Sequence, residues 1–136
     1  MIYLFRNINN RWDFLLKILW FMMIKIMRKK TIKIPIYGAG LTIILDKDLT
    51  YVEKKYKTSC LDNFGAVTLI NESKYRQYVV AFTDKEHLSN IAHEIVHIKN
   101  YIFLDCAMQL DRINDEPEAY LTGWLFDEIY NFLYEK

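Results

Sequence analysis

The chain has 136 residues, a length typical of one domain. Its 52% hydrophobic and 15% aromatic content excludes a disordered chain, and its net charge of +1 favours no particular partner. No nucleic-acid partner is expected, because the one basic cluster is terminal and no helix-turn-helix pattern is visible. The two cysteines, Cys60 and Cys106, indicate neither a disulfide framework nor a cysteine zinc site, and this usage fits a cytoplasmic protein.

Residues 1–30 are basic and apolar and differ from the rest of the chain. Residues 14–27 are strongly apolar, but Lys17 and Lys25 leave an uncharged stretch of only seven residues between them. A transmembrane helix needs about 20 apolar residues, and a secretory signal needs a small-residue cleavage site that does not follow here.

Three interpretations of this extension stay open. It is a basic amphipathic helix on an anionic membrane surface, a helix packed on the domain, or sequence upstream of the functional start. The third is favoured, because an ordered pattern begins directly after Met27-Arg28-Lys29-Lys30. The domain is therefore expected over residues 31–136.

From Thr31 the apolar residues alternate with polar ones, as in half-buried strands. Pro35 favours an edge strand, because proline cannot donate to a sheet ladder. Glycine turns and β-branched runs divide this part of the chain into two hairpins separated by one helix. The predicted elements are strands over 32–36 and 41–45, a helix over 48–57, and strands over 66–70 and 75–82.

A helix is predicted from about Asp84 to about Leu104. Thr83 and Glu86 have the spacing of a capping box at its start. Its apolar face is formed by residues three and four apart, namely Leu88, Ile91, Ile95, Ile98 and Ile102.

This helix carries the most informative motif, His93-Glu94-Ile95-Val96-His97. Two histidines four residues apart lie about 40° apart around a helix, so both imidazoles can bind one Zn²⁺ ion. Glu94 lies about 100° from His93 and flanks the ion, where its carboxylate can act as a general base. The motif therefore predicts the centre of a zinc hydrolase.

A catalytic zinc site needs a third protein ligand. Glu116 and Glu118 are the candidates, at the start of a last helix predicted from Glu116 to Tyr134, where Pro117 suits the first turn. These acidic residues also have a plain structural interpretation, since negative charge is favourable at a helix N-terminus.

The motif and the acidic helix start resemble the gluzincin metallopeptidases, in which a second helix supplies a glutamate ligand three residues before a small residue. Glu116 stands three residues before Ala119 and matches this pattern, whereas Glu118 does not. The eighteen-residue interval between His97 and Glu116 is similar to that of the aminopeptidase branch. The small size looks more like short metallopeptidases of phages and mobile elements.

The resemblance implies a zinc-dependent peptidase in which His93, His97 and Glu116 bind the ion and Glu94 is the catalytic base. Many gluzincins have an aspartate four residues after the ligand glutamate, where this chain has Tyr120. That departure leaves an alternative open, a catalytically weak zinc-binding regulatory or interaction protein with the same fold. Residues Tyr120, Tyr130 and His87 are candidate oxyanion donors, although no spacing selects one of them.

The expected fold is α+β, a minimal zincin-like domain with a small, mostly antiparallel sheet and helices packed against one face. The expected partner is a peptide or protein substrate, held by main-chain pairing along an exposed strand. The strand over 75–82 is the predicted substrate strand, because it leads into the helix that carries the motif.

Overall fold

The computed structural model describes residues 27–59, 61–83 and 87–135. It has an α+β architecture, as predicted, with four strands and three helices among these residues. The predictions for residues 1–26 lie outside the described residues. The elements are β1 (Arg28–Ile34), β2 (Ala39–Leu45), α1 (Thr50–Tyr56), β3 (Ala66–Ile70), β4 (Gln77–Phe82), α2 (Leu88–Asp105) and α3 (Glu116–Tyr134).

The four strands form one mixed sheet in the order β1-β2-β4-β3. Both predicted hairpins are confirmed, because β1 pairs antiparallel with β2 and β3 pairs antiparallel with β4. The hairpins join through β2 and β4, which run parallel, with Leu41 opposite Tyr78. Strand β1 begins at Arg28, before the predicted domain start, and ends at Ile34, since Pro35 and Tyr37 form a tight turn through a 2.7 Å backbone hydrogen bond.

The sheet lies between helices on both of its faces. Helices α2 and α3 cover one face over a core that includes Leu41, Val80 and Ile95. Helix α1 covers the opposite face, where Val52 packs with Ile44 and Val79. The expectation that helices pack against a single face is therefore wrong. Because α1 occupies the second face, the central strands β2 and β4 are buried on both sides.

Strand β4 is the wrong choice for the substrate strand. It lies between β2 and β3, so both of its edges are paired, and Tyr78 through Phe82 are buried. Strands β1 and β3 are the two outer strands of the described sheet, and β3 is the outer strand that packs against α2. Sequence position beside α2 does not predict which strand lies at the edge.

The described part of helix α2 begins at Leu88. Its predicted start at Asp84 lies outside the described residues, which leave out residues 84–86. The Thr83 hydroxyl donates a 2.9 Å hydrogen bond to the Gly65 carbonyl, so it ties the hairpin together. The predicted apolar face is confirmed from Ile91 to Ile102, whereas Leu88 is half exposed in the first turn. Helix α3 has the predicted bounds, and no helix among the described residues has the length and apolar character needed to cross a membrane.

Candidate metal centre

His93 and His97 lie on the exposed side of α2, one turn apart. Their Nε2 atoms are 3.1 Å apart, and their ring centroids are 4.8 Å apart. Two nitrogen ligands of a tetrahedral zinc ion are about 3.3 Å apart, because two Zn–N bonds of about 2.0–2.1 Å meet at the tetrahedral angle. The imidazole pair therefore fits two of the positions around such an ion. Without a metal, one ring N–H can donate to the other ring nitrogen.

The Glu94 side chain lies beside the histidines and is buried. Only 5% of the residue is exposed, and its Oε2 atom accepts a 2.6 Å hydrogen bond from the Thr68 hydroxyl of β3. A buried carboxylate needs such a partner, because burial without hydrogen bonds is costly. The bond fixes the carboxylate in the cleft next to the imidazoles.

These side chains line a cleft of about 360 Å³ between α2 and β3. One wall is the turn of α2 that carries the motif, and the other is the start of β3 with the loop before it. The lining residues are Asn63, Phe64, Gly65, Ala66, Val67, Thr68, Asn90, His93, Glu94, His97 and Tyr101. The cleft presents imidazoles, a carboxylate, amides and a phenol beside apolar side chains such as Phe64 and Val67.

Several cleft residues were not predicted from the sequence, among them the three polar residues Thr68, Asn90 and Tyr101. A signal existed for two of them, because Asn90 precedes His93 by three residues and Tyr101 follows His97 by four, so helical spacing places both near the motif face. No local signal selects Thr68, since its contact with Glu94 spans 26 residues.

The structure does not bring Glu116 to the two histidines. Among the described residues, no three His, Cys, Asp or Glu side chains are grouped as a metal site requires. Glu116 is exposed at the start of α3, and Glu118 forms an ion pair with the Lys99 ammonium of α2. In this conformation the two histidines can therefore supply two protein ligands of a zinc site, and the third ligand stays a prediction.

The three candidate oxyanion donors lie away from the cleft lining. Tyr120 is 76% exposed and lines a separate apolar groove with Ile36 and Trp124. Tyr130 stacks on Tyr134 further along α3, and His87 is the exposed residue that precedes α2. Asn90 and Tyr101 are the polar side chains of α2 that line the cleft together with the motif.

Among the described residues, no strand pairs with the edge of β3 beside the cleft, which leaves backbone groups of this edge unpaired. Thr83 N–H donates to Gly65 C=O and Asn71 N–H donates to Gln77 C=O, which fixes the odd-numbered residues of β3 as those bonded to β4. Hydrogen-bonded and non-hydrogen-bonded pairs alternate in an antiparallel ladder. The backbone N–H and C=O groups of Ala66, Thr68 and Ile70 therefore point along the open edge.

In comparisons with known proteins, the chain matches no family model, no curated protein and no solved structure. The geometry of the cleft is therefore the basis for proposing a function.

Proposed function

We propose that the protein is a zinc-dependent metallopeptidase that hydrolyses peptide bonds in the cleft between α2 and β3. The observation that carries the proposal is the 3.1 Å approach of the His93 and His97 nitrogens next to the buried Glu94 carboxylate. Structural histidines on a helix surface need no buried acid beside them. A hydrolytic site needs both groups together.

His93 and His97 would hold the ion, and Glu116 is the proposed third ligand. Glu116 would complete the set once its carboxylate is brought to the histidines, since the three side chains are not grouped in this structure. Zinc bound there would supply Lewis acidity toward the scissile carbonyl and toward a water molecule.

Glu94 is proposed as the general base. Its carboxylate accepts a proton from the water that attacks the carbonyl carbon, and it then donates that proton to the leaving nitrogen as the C–N bond breaks. The Thr68 hydroxyl occupies Oε2 and leaves Oε1 for this exchange. The hydrogen bond also keeps the carboxylate in one orientation through both steps.

An extended substrate is proposed to bind along the open edge of β3. The outward N–H and C=O groups of Ala66 and Thr68 can pair with a peptide main chain, as an added strand does in β-augmentation. Thr68 carries the hydroxyl that holds Glu94, so a peptide on this edge passes directly beside the base. This geometry favours a peptide substrate over a small ester or amide.

The test compares wild-type protein with Glu94→Gln after both are loaded with zinc. We expect Glu94→Gln to bind zinc normally, because the amide can still accept from Thr68, and to lose peptide turnover by about 10²- to 10⁴-fold, the usual contribution of a general base. Peptide cleavage is followed by mass spectrometry on unfolded protein substrates. Equal turnover by both proteins would refute the assignment.

A second candidate is a zinc-binding regulatory protein with weak or no turnover. It is favoured by the position of Glu116, exposed and apart from the histidines, and by Tyr120, which is exposed where an orienting aspartate is usual. In that case both wild type and Glu94→Gln bind zinc and neither cleaves peptides. The turnover measurement on the wild-type protein separates the two functions.

A further inference from the structure

The cleft continues along β3 into a second cavity of about 650 Å³. Thr68 and Tyr101 line both cavities, so the two form one groove along the open edge of the strand. The first cavity is lined by the histidines, and the second extends past Ile70, the last residue of the strand, to the turn that follows it. A peptide paired with β3 would therefore occupy both.

The second cavity is bordered by basic side chains at the end of α1, Lys55 in its last turn and Lys57 directly after it. Lys55 and Lys57 line it from the α1 face of the sheet, and both are exposed. Among the described residues, neither lysine has a carboxylate within ion-pair distance. Glu72 is the one carboxylate among the described residues that line this cavity, so the two lysines give the lining a net positive charge.

From these contacts we infer that the groove selects peptide segments carrying an acidic side chain a few residues from the cleaved bond. The inference rests on the proposed function for the position of that bond. Thr68 lies beside Glu94, and the cavity that the two lysines line runs from Thr68 past Ile70. At about 3.3 Å per residue, the acidic side chain falls about two to four residues from the bond, on one side of it.

The test uses peptides of alanine and serine that carry one glutamate moved a position at a time, with glutamine and lysine versions for comparison. Wild-type protein with zinc is used to map which bonds are cleaved. The Glu94→Gln variant is used to measure binding of the same labelled peptides by fluorescence anisotropy. Binding therefore reports on the lysines even when nothing is cleaved.

We expect the double variant Lys55→Glu/Lys57→Glu to bind the glutamate peptides about three- to tenfold more weakly at low salt, because exposed charge pairs contribute modestly and are screened by salt. The same variant should bind the lysine peptides more tightly than the wild type does. Lys47→Glu/Lys54→Glu is the matched control, because it makes the same change in net charge with exposed lysines that do not line the groove. Thermal melting of both double variants checks that they fold.

Equal effects of the two double variants, or no difference between glutamate and glutamine peptides, would overturn the inference. If glutamate peptides bind through Lys55 and Lys57 but the wild type cleaves none of them, the groove binds acidic segments and the peptidase proposal fails instead. If cleavage occurs without regard to the glutamate position, the peptidase stands and the acidic preference is wrong.

Discussion

The hydrogen bond between Thr68 and Glu94 is the contact on which the cleft geometry depends most directly. It joins an outer strand to the motif helix, and both residues are buried. The sequence predicted that His93, Glu94 and His97 lie together, because one helical segment of five residues contains them all. It could not predict Thr68, whose position is set by how β3 pairs with β4 and packs on α2.

Replacing Thr68 tests whether this bond holds the carboxylate. Thr68→Val keeps the shape and the β-branched side chain but leaves the buried Glu94 without its donor, so we expect the free energy of unfolding to fall by about 1–3 kcal/mol. Thr68→Ser keeps the hydroxyl and should cost less. Urea denaturation followed by circular dichroism measures both, and equal losses for Val and Ser would show that the hydroxyl contributes nothing.

The contact between α2 and α3 determines where the acidic start of α3 lies. Lys99 is 9% exposed and pairs with Glu118, which places Glu118 against α2 and leaves Glu116 exposed. The bounds of α3 followed from Pro117 and the apolar periodicity after it. The pairing of Lys99 did not, because it depends on the approach of two helices and not on the pattern within either.

Removal of the Glu118 carboxylate should destabilise the protein. Glu118→Gln leaves the Lys99 ammonium, whose side chain is 11% exposed, without its counter-charge. We expect a loss of about 1–3 kcal/mol, below the range for a fully buried pair because the Glu118 side chain is 27% exposed. Lys99→Met keeps the aliphatic packing and should cost less, and the double variant should resemble Lys99→Met alone.

The exposed pair of Lys30 and Glu128 supplies the control for that series. Its side chains are 48% and 30% exposed, so Glu128→Gln should change the free energy of unfolding by no more than about 1 kcal/mol. Urea denaturation of all variants gives the comparison. If Glu118→Gln is no more destabilising than Glu128→Gln, the pair does not fix the position of α3.

Across the whole molecule, local patterns predicted the elements and the two hairpins, and they failed where distant parts meet. The turn residues and β-branched runs that specify a hairpin all lie within the hairpin, so the local sequence is enough to predict it. The parallel pairing of β2 with β4 and the placement of α1 on the second face depend on the chain crossing the sheet. The central position of β4 and the outer position of β3 follow from that pairing, so the prediction of β4 as the substrate strand is wrong.

The ionisation of the buried Tyr78 hydroxyl should lower the stability of the whole fold at alkaline pH. Burial raises the pKa of Tyr78 above its ordinary value near 10, and so does the 2.5 Å hydrogen bond that its hydroxyl donates to Asp105. Because the folded pKa exceeds the unfolded one, the stabilisation is full below about pH 10 and is lost as the pH rises toward the folded value. Burial also raises the pKa of Tyr37 and Tyr56.

We therefore expect the free energy of unfolding to decline above pH 10, and to decline less steeply in Tyr78→Phe, which has one fewer buried hydroxyl to ionise. Tyr120→Phe is the control, because Tyr120 is 76% exposed and its loss should leave the slope unchanged. Urea denaturation between pH 8 and 11 measures the slopes. Identical slopes in wild type and Tyr78→Phe would contradict the linkage.

The proposed function depends on zinc binding by the histidine pair, and the zinc content of purified protein tests that binding most directly. The chain has three histidines, so His87→Ala serves as a control for His93→Ala and His97→Ala. After equilibrium dialysis against zinc, we expect about one ion per chain in the wild type and in His87→Ala, as a single-ion site requires, with loss of that ion in the other two variants. Zinc binding that is absent from the wild type, or unchanged when His93 or His97 is removed, would contradict the account.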